Sequence, residues 1–135
     1  EDLAKLFQMY LWDGSYGGRQ FFAPGMVPEF SKYQFASQDN RRGLVFDKPA
    51  VGNDTLSPKH AYPCPAATSV SFGHTGYTGT FVWADPSNGL LLVFLSNRVY
   101  PTRNNSKLSD MGIRTSILQV LYESIDKRST ADRAQ

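Results

Sequence analysis

The sequence predicts an α+β fold: a small antiparallel sheet flanked by an N-terminal and a C-terminal helix. Three observations carry this. Apolar residues recur at helical spacing near both ends, at Leu3, Leu6, Phe7, Tyr10 and Leu11 and again at Ile113, Ile117, Leu121 and Ile125, with Leu118 and Val120 widening the second stripe. Two strand-like runs stand between them, separated by Asp85-Pro86-Ser87-Asn88-Gly89, a turn of hairpin type. With 135 residues, 41% hydrophobic and 19% charged, the chain has the size and composition of one globular domain.

The first helix is expected over residues 2–12. Glu1 and Asp2 stand at its positive end, where acids are favoured, and Gly14 is its stop. Tyr16-Gly17-Gly18 makes a turn. A short second helix is expected from Pro24 to Lys32, with Met26, Val27 and Phe30 on one face. Residues 42–46 are a short strand candidate. Residues 47–67 hold Pro49, Pro58, Pro63 and Pro65 together with Gly52, Asn53 and Asp54, a density of breakers that predicts a long loop. One long half-exposed strand is expected from Ser69 to Ala84. A second, from Leu90 to Asn97, is apolar enough to be covered on both faces. The last helix is expected from Asp110 to Ile125, capped by Ser109 or Asp110, with a polar tail over 127–135 that frays.

Composition excludes several functions. The formal net charge is +2, and the basic pairs Arg41-Arg42 and Lys127-Arg128 read as solvated surface, so nucleic acid is not expected as a partner. Nothing approaches the roughly 20 apolar residues of a membrane span. A single cysteine, Cys64, rules out an internal disulfide and CxxC-type zinc sites. The two histidines, His60 and His74, would need a carboxylate such as Asp54 or Asp85 to hold a metal, and the spacing does not support one. There is no glycine-rich phosphate loop, and no cofactor is expected. Asn53-Asp54-Thr55 and Asn104-Asn105-Ser106 fit the glycosylation pattern. The chain begins at Glu1 without a methionine, which reads as a cut within a longer chain or a processed product.

The chemistry concentrates in Ser71-Phe72-Gly73-His74-Thr75-Gly76-Tyr77-Thr78-Gly79-Thr80. Glycines in a strand mark a close approach of ligand or backbone. His74 and Thr75 point to opposite faces, but the twist of an edge brings both toward one groove. Thr75 offers a hydroxyl, Gly76 clears space against the strand, and the Tyr77 amide is a donor suited to a developing oxyanion. On spacing alone, an ordinary strand with small residues packed under a helix remains the commoner outcome. Ser124-Ile125-Asp126-Lys127 has the Ser-x-x-Lys spacing of a lysine-activated nucleophile, but it falls at the polar end of the last helix.

Phe72 to Thr80, followed by the Asp85-Pro86 turn and Leu92-Val93-Phe94-Leu95-Ser96-Asn97-Arg98-Val99-Tyr100-Pro101, resembles the C-terminal part of the serine β-lactamase and penicillin-binding-protein-like hydrolases, in the branch of class C β-lactamase-related esterases and peptidases. Asp2-Leu3-Ala4-Lys5-Leu6 with Gly14 is similar to the helix leading into that family's sheet. The resemblance spans most of the chain except residues 47–67. It implies a partial β-lactamase/transpeptidase-like fold. His74, Thr75 and Gly76 then stand at the family's third motif, usually Lys-Thr-Gly, and Tyr77 at one oxyanion-hole amide. It also implies an acyl, ester or cell-wall-derived substrate and an extracytoplasmic bacterial location.

Two departures shape the expectation. Histidine replaces lysine at position 74, which removes a permanent positive charge and shifts the expected substrates from penicillins toward esters. The resemblance also implies a Ser-x-x-Lys nucleophile and an assisting Tyr-x-Asn element before the third motif, but neither occurs in residues 1–73, and the Ser124 match comes after it, in the wrong order. The expectation is therefore a C-terminal segment of a longer hydrolase, inactive alone, with an apolar face around the first helix and residues 21–30 through which it self-associates. The alternative is a non-catalytic domain on the same fold that holds a peptide or glycan along the glycine-lined edge.

Overall fold

The computed structural model describes residues 1–132. In chain order it contains α1 (Asp2–Leu11), β1 (Ser15–Tyr16), β2 (Arg19–Gln20), α2 (Met26–Ser31), β3 (Phe72–Thr75), β4 (Phe81–Asp85), β5 (Leu90–Phe94), α3 (Lys107–Asp110) and α4 (Ile113–Asp132). β1 and β2 form a small hairpin, and β3, β4 and β5 form an antiparallel sheet in that order. The α+β class is what the sequence predicts.

The central sheet is covered on both faces. In the register Phe81↔Phe94, Val82↔Val93, Trp83↔Leu92 and Ala84↔Leu91, directly opposite residues share a face. Phe81, Trp83, Leu92 and Phe94 pack against Leu118 and Tyr122 of α4, with Cys64 and Ala67. Val82, Ala84, Leu91 and Val93, with Phe72, pack against Phe7 of α1 and against Val27 and Phe46. Phe46 and Phe72 have ring centroids 4.8 Å apart, and Tyr10 meets Phe46 edge-on at 5.4 Å. Completely burying one such side chain stabilises by about 1.5–3 kcal/mol.

α1 stops where its glycine predicts. The Gly14 amide donates to the Met9 carbonyl at 2.8 Å and the Asp13 amide to Tyr10 at 3.2 Å, the paired bonds of a Schellman closure. Asp13 takes the left-handed position, φ 48°. Its side chain accepts the Gly25 amide at 2.7 Å, which ties the helix end to the start of α2.

Several boundaries differ from the sequence reading. The expected strand Ser69–Ala84 is two strands, because residues 76–80 turn the chain back. The Gly76 amide donates to Thr80 at 2.7 Å and the Gly79 amide to Gly76 at 2.9 Å, with Gly79 at φ 102°. Residues 42–46 do not form a strand. They close on themselves through Gly43 N–H to Phe46 at 3.0 Å, leaving single bridges Arg42↔Asp47 and Asp47↔Gly73. The last helix begins at Ile113 after the short α3, and its buried centre is Leu118 and Tyr122. It runs on to Asp132, through most of the segment expected to fray, and positions 133–135 lie outside the described residues.

The proline-rich stretch 47–67 is organised by a buried asparagine. Asn53 donates to Cys64 at 2.9 Å and accepts the Tyr62 amide at 2.8 Å. Its side-chain amide is thus a structural hub, and a glycan on it would have no room. Among the described residues no helix is long and apolar enough to cross a membrane.

Candidate functional site

β3 is an edge strand, and its outer side is only partly covered. Gly73 exchanges both backbone hydrogen bonds with Asp47, at 2.8 and 3.0 Å. Backbone directions alternate along a strand, so Phe72 and His74 bond inward to β4 while Thr75 turns outward with Gly73, and Tyr77 follows in the turn beyond the strand. The inward Gly76 amide, bonded to Thr80, keeps this alternation going past the end of the ladder. Beyond Gly73 no second backbone segment pairs with β3, and the Tyr77 amide engages no acceptor among the described residues. The edge therefore presents an outward-facing donor at Thr75, followed in the turn by the Tyr77 amide, which has no acceptor among the described residues.

Side chains divide as the sequence predicts. Thr75, opposite Phe81 in the register, lies on the face toward α4. His74, opposite Val82, lies on the other. The structure does not bring the two together. The Thr75 hydroxyl is 3.5 Å from Oδ2 of Asp47. The exposed His74 ring places Nδ1 2.9 Å from the Thr75 carbonyl. A carbonyl only accepts, so Nδ1 is the donor in this contact. Tyr77 is 67% exposed.

Asp47 is the residue the sequence reading missed. It is 2% exposed and gathers four partners. Arg42 makes a short ion pair with Oδ1, Arg41 lies 3.6 Å from the same oxygen, and the Tyr62 hydroxyl is 3.4 Å from Oδ2, which also faces Thr75. Arg41 stacks over the Tyr62 ring at 4.0 Å. Burial and the neighbouring Asp47 charge both push the Tyr62 phenol upward. The pair Arg41-Arg42 is thus not simply solvated surface. The only sequence signal for this was a lone acid following an arginine pair.

Arg98 holds the other end of the edge. Its Nε donates to the Tyr77 carbonyl at 2.9 Å and its guanidinium lies 4.9 Å from the Tyr77 ring centroid. A second arm donates to Asn105 at 3.1 Å, and its own amide donates to Thr78 at 2.8 Å. The turn that carries the Tyr77 amide is therefore braced by the chain after β5.

The three glycines do different work. A Cβ on Gly73 would enter the Trp83 ring and the Val82 carbonyl, and one on Gly79 would enter Ser96 and sit 2.7 Å from Leu108. Gly76 alone has ordinary space, with Thr80 Cβ 3.4 Å away.

The remaining candidates stand apart. Ser124 donates its hydroxyl to Val120 of its own helix at 2.7 Å. His60 pairs with Ser57 at 3.1 Å. Asp85, fully buried, accepts from Thr68, Ser87 and Tyr122. No group of three His, Cys, Asp or Glu side chains converges among the described residues. Cys64 is buried, which pushes its thiol up to about 11.

The Beta-lactamase family model matches residues 3–110. Curated relatives from Salmonella enteritidis PT4 and Salmonella gallinarum, each named "Putative D-alanyl-D-alanine carboxypeptidase", are 32% identical over 108 residues. That alignment covers 80% of this chain and 23% of each relative, so the chain spans about a quarter of their length. No solved structure matches. With four-fifths of its length matched by the family model, from α1 through the open edge to α3, the chain belongs to the β-lactamase family.

Proposed function

We propose that the protein is the C-terminal segment of a serine acyl hydrolase and supplies one wall of its active site. The observation that carries this is the open side of β3 in a β-lactamase-family chain. The outward Thr75 amide and the Tyr77 amide, which has no acceptor among the described residues, stand beside a threonine hydroxyl near a buried carboxylate. Fixed donors of this kind stabilise the oxyanion that forms when a nucleophile attacks an acyl group. In this reading Tyr77 gives one oxyanion amide and the attacking serine gives the other. Thr75 and Gly76 line the substrate strand, and His74 stands in place of the family's lysine. The names of the relatives favour a cell-wall-derived acyl substrate, and the loss of the lysine charge favours esters over penicillins. An extracytoplasmic site of action accords with such a substrate.

The nucleophile belongs to sequence outside these 135 residues. Ser124, the one serine with a Ser-x-x-Lys spacing, has its hydroxyl committed to Val120. Catalytic groups that act as a unit lose nearly all rate when one is missing, so the chain alone is inactive. The test is hydrolysis of nitrocefin and of short-chain nitrophenyl esters by the purified chain. No turnover above buffer is expected, and turnover abolished by Ser124→Ala would overturn the reading.

The same open edge gives a second reading some support, since unpaired amides also accept an added peptide strand. The sequence upstream of Glu1 separates the two. A Ser-x-x-Lys there favours the hydrolase, and an unrelated domain favours a binding module.

A further inference from the structure

At the end of the sheet remote from Gly76, the end of α1, α2 and the β4–β5 turn line a solvent-open cleft of about 750 Å³. Its walls are largely apolar, with Leu11, Val27, Pro28 and Phe72 among them. Ligand sites share this character, mostly apolar lining with a few polar groups, at volumes of about 300–1,000 Å³. Among its polar groups the buried cation is Lys48, which is 2% exposed.

Lys48 is an incompletely satisfied cation. Its Nζ donates to the Ser71 carbonyl at 2.6 Å and stands 5.1 Å from the centroid of the Tyr33 ring. An ammonium has three protons to donate. Among the described residues no carboxylate oxygen lies within ion-pair distance of it. The carboxylate whose charge reaches it is Asp85, but those oxygens are held by Thr68, Ser87 and Tyr122. A buried charge without a direct partner is costly, and a bound anion relieves that cost.

The other charges on the wall narrow the ligand. Lys32 is paired with Glu29 at 2.7 Å and does not compete for an anion. Asp13, at the α1 end, has one oxygen on the Gly25 amide and a second that is buried without a partner. A second negative charge on the ligand would meet that carboxylate. A single anionic head at Lys48 with an uncharged apolar body satisfies both ends.

We infer that this cleft is a binding site for an amphipathic monoanion, a carboxylate carrying an apolar chain, with its head group on Lys48. The site is separate from the β3 edge and does not depend on the hydrolase reading. The experiment is calorimetric titration of the 135-residue chain with decanoate and with decan-1-ol, its neutral counterpart, repeated on Lys48→Met. Decanoate is expected to bind the wild-type chain at least tenfold more tightly than decanol, and Lys48→Met is expected to erase that preference. Equal affinity for the two ligands, no decanoate binding at millimolar concentration, or an undiminished preference in Lys48→Met would overturn it. Should Lys48→Met fail to fold, the comparison of decanoate with decanol on the wild-type chain decides alone. No turnover is measured, so neither outcome bears on the hydrolase.

Discussion

Asp47 exchanges both backbone hydrogen bonds with Gly73 and, from the same residue, reaches the Thr75 hydroxyl with its carboxylate. One residue thus both closes the first part of the β3 edge and fixes where the open part begins. Removing the carboxylate strands the Tyr62 hydroxyl and releases two guanidinium groups. Asp47→Ala is expected to cost about 1–3 kcal/mol in urea unfolding. A cost below about 0.5 kcal/mol, the level of an ordinary surface change, would show that the cluster is incidental.

Gly73 and Gly76 look alike in the sequence and are opposite in the structure. Gly73 lies under the Trp83 ring, whereas Gly76 has ordinary room beside Thr80. Gly73→Ala forces β3 away from β4 and should destabilise by about 1–3 kcal/mol or more. Gly76→Ala should be neutral or stabilise by up to about 1 kcal/mol, since alanine narrows the unfolded ensemble. Thermal unfolding of the two variants checks the contrast. Equal losses would mean that Gly76 is a packing glycine too, and its place in a substrate groove would lose its basis.

That contrast also shows what the sequence could and could not reveal. The helices, the hairpin and the doubly covered β5 were legible because periodicity and turn chemistry are local. The open edge was legible through Thr75, Gly76 and Tyr77, but two of the three glycines that drew attention to it serve internal packing. The break at residues 76–80 was hidden because Tyr77 and Thr78 continue the strand-like alternation while Gly79 turns the chain. Asp47 was illegible for a different reason. Its partners are set by long-range contacts, 15 residues away at Tyr62 and 28 at Thr75, and an exposed-looking arginine pair carries no sign of a buried acid. Tyr122 was missed because the stripe was centred on Ile117, which is half-exposed, with Leu118 only widening it, whereas Leu118 and Tyr122 are its buried centre.

Lys48 gives the chain a pH signature. Burial lowers its pKa from 10.5 to about 8. Between those values the unfolded chain binds more protons than the folded one, so stability rises with pH. Cys64 works in the opposite sense above pH 9, because burial raises its thiol to about 11. The clean window is therefore pH 8 to 9, where a gain of about 1 kcal/mol is expected. Urea unfolding at pH 8.0 and 9.0 measures it, and Lys48→Met should flatten the rise. A fall in wild-type stability across that window would contradict the buried ammonium.

Arg98 is expected to hold the Tyr77 amide in place by bracing the 76–80 turn. Arg98→Ala removes the bonds to Tyr77 and Asn105 and should speed hydrogen exchange at the Gly76 and Gly79 amides about tenfold or more, with little change in β5. Arg98→Lys should rescue little, because a single ammonium does not span two carbonyls as a planar fork does. Uniform acceleration across the sheet would point to global destabilisation and remove the bracing role.

The apolar face around α1 and residues 21–30 bears on assembly. Trp12, Phe21, Met26 and Phe30 are exposed there, joined by Val45, and Tyr10, Phe22 and Phe46 help line a shallow hollow of about 210 Å³ between them. Clustered exposure of this kind drives association, so concentration-dependent dimers or larger species are expected in sedimentation equilibrium. A charge at the centre should disperse them: Phe30→Asp with Val45→Lys is expected to raise the dissociation constant at least tenfold while leaving the melting temperature within a few degrees. The pair lies outside the Trp83–Leu118 core, so the variant tests the surface rather than the fold. A wild-type chain that stays monomeric at high concentration would show that this face needs no cover.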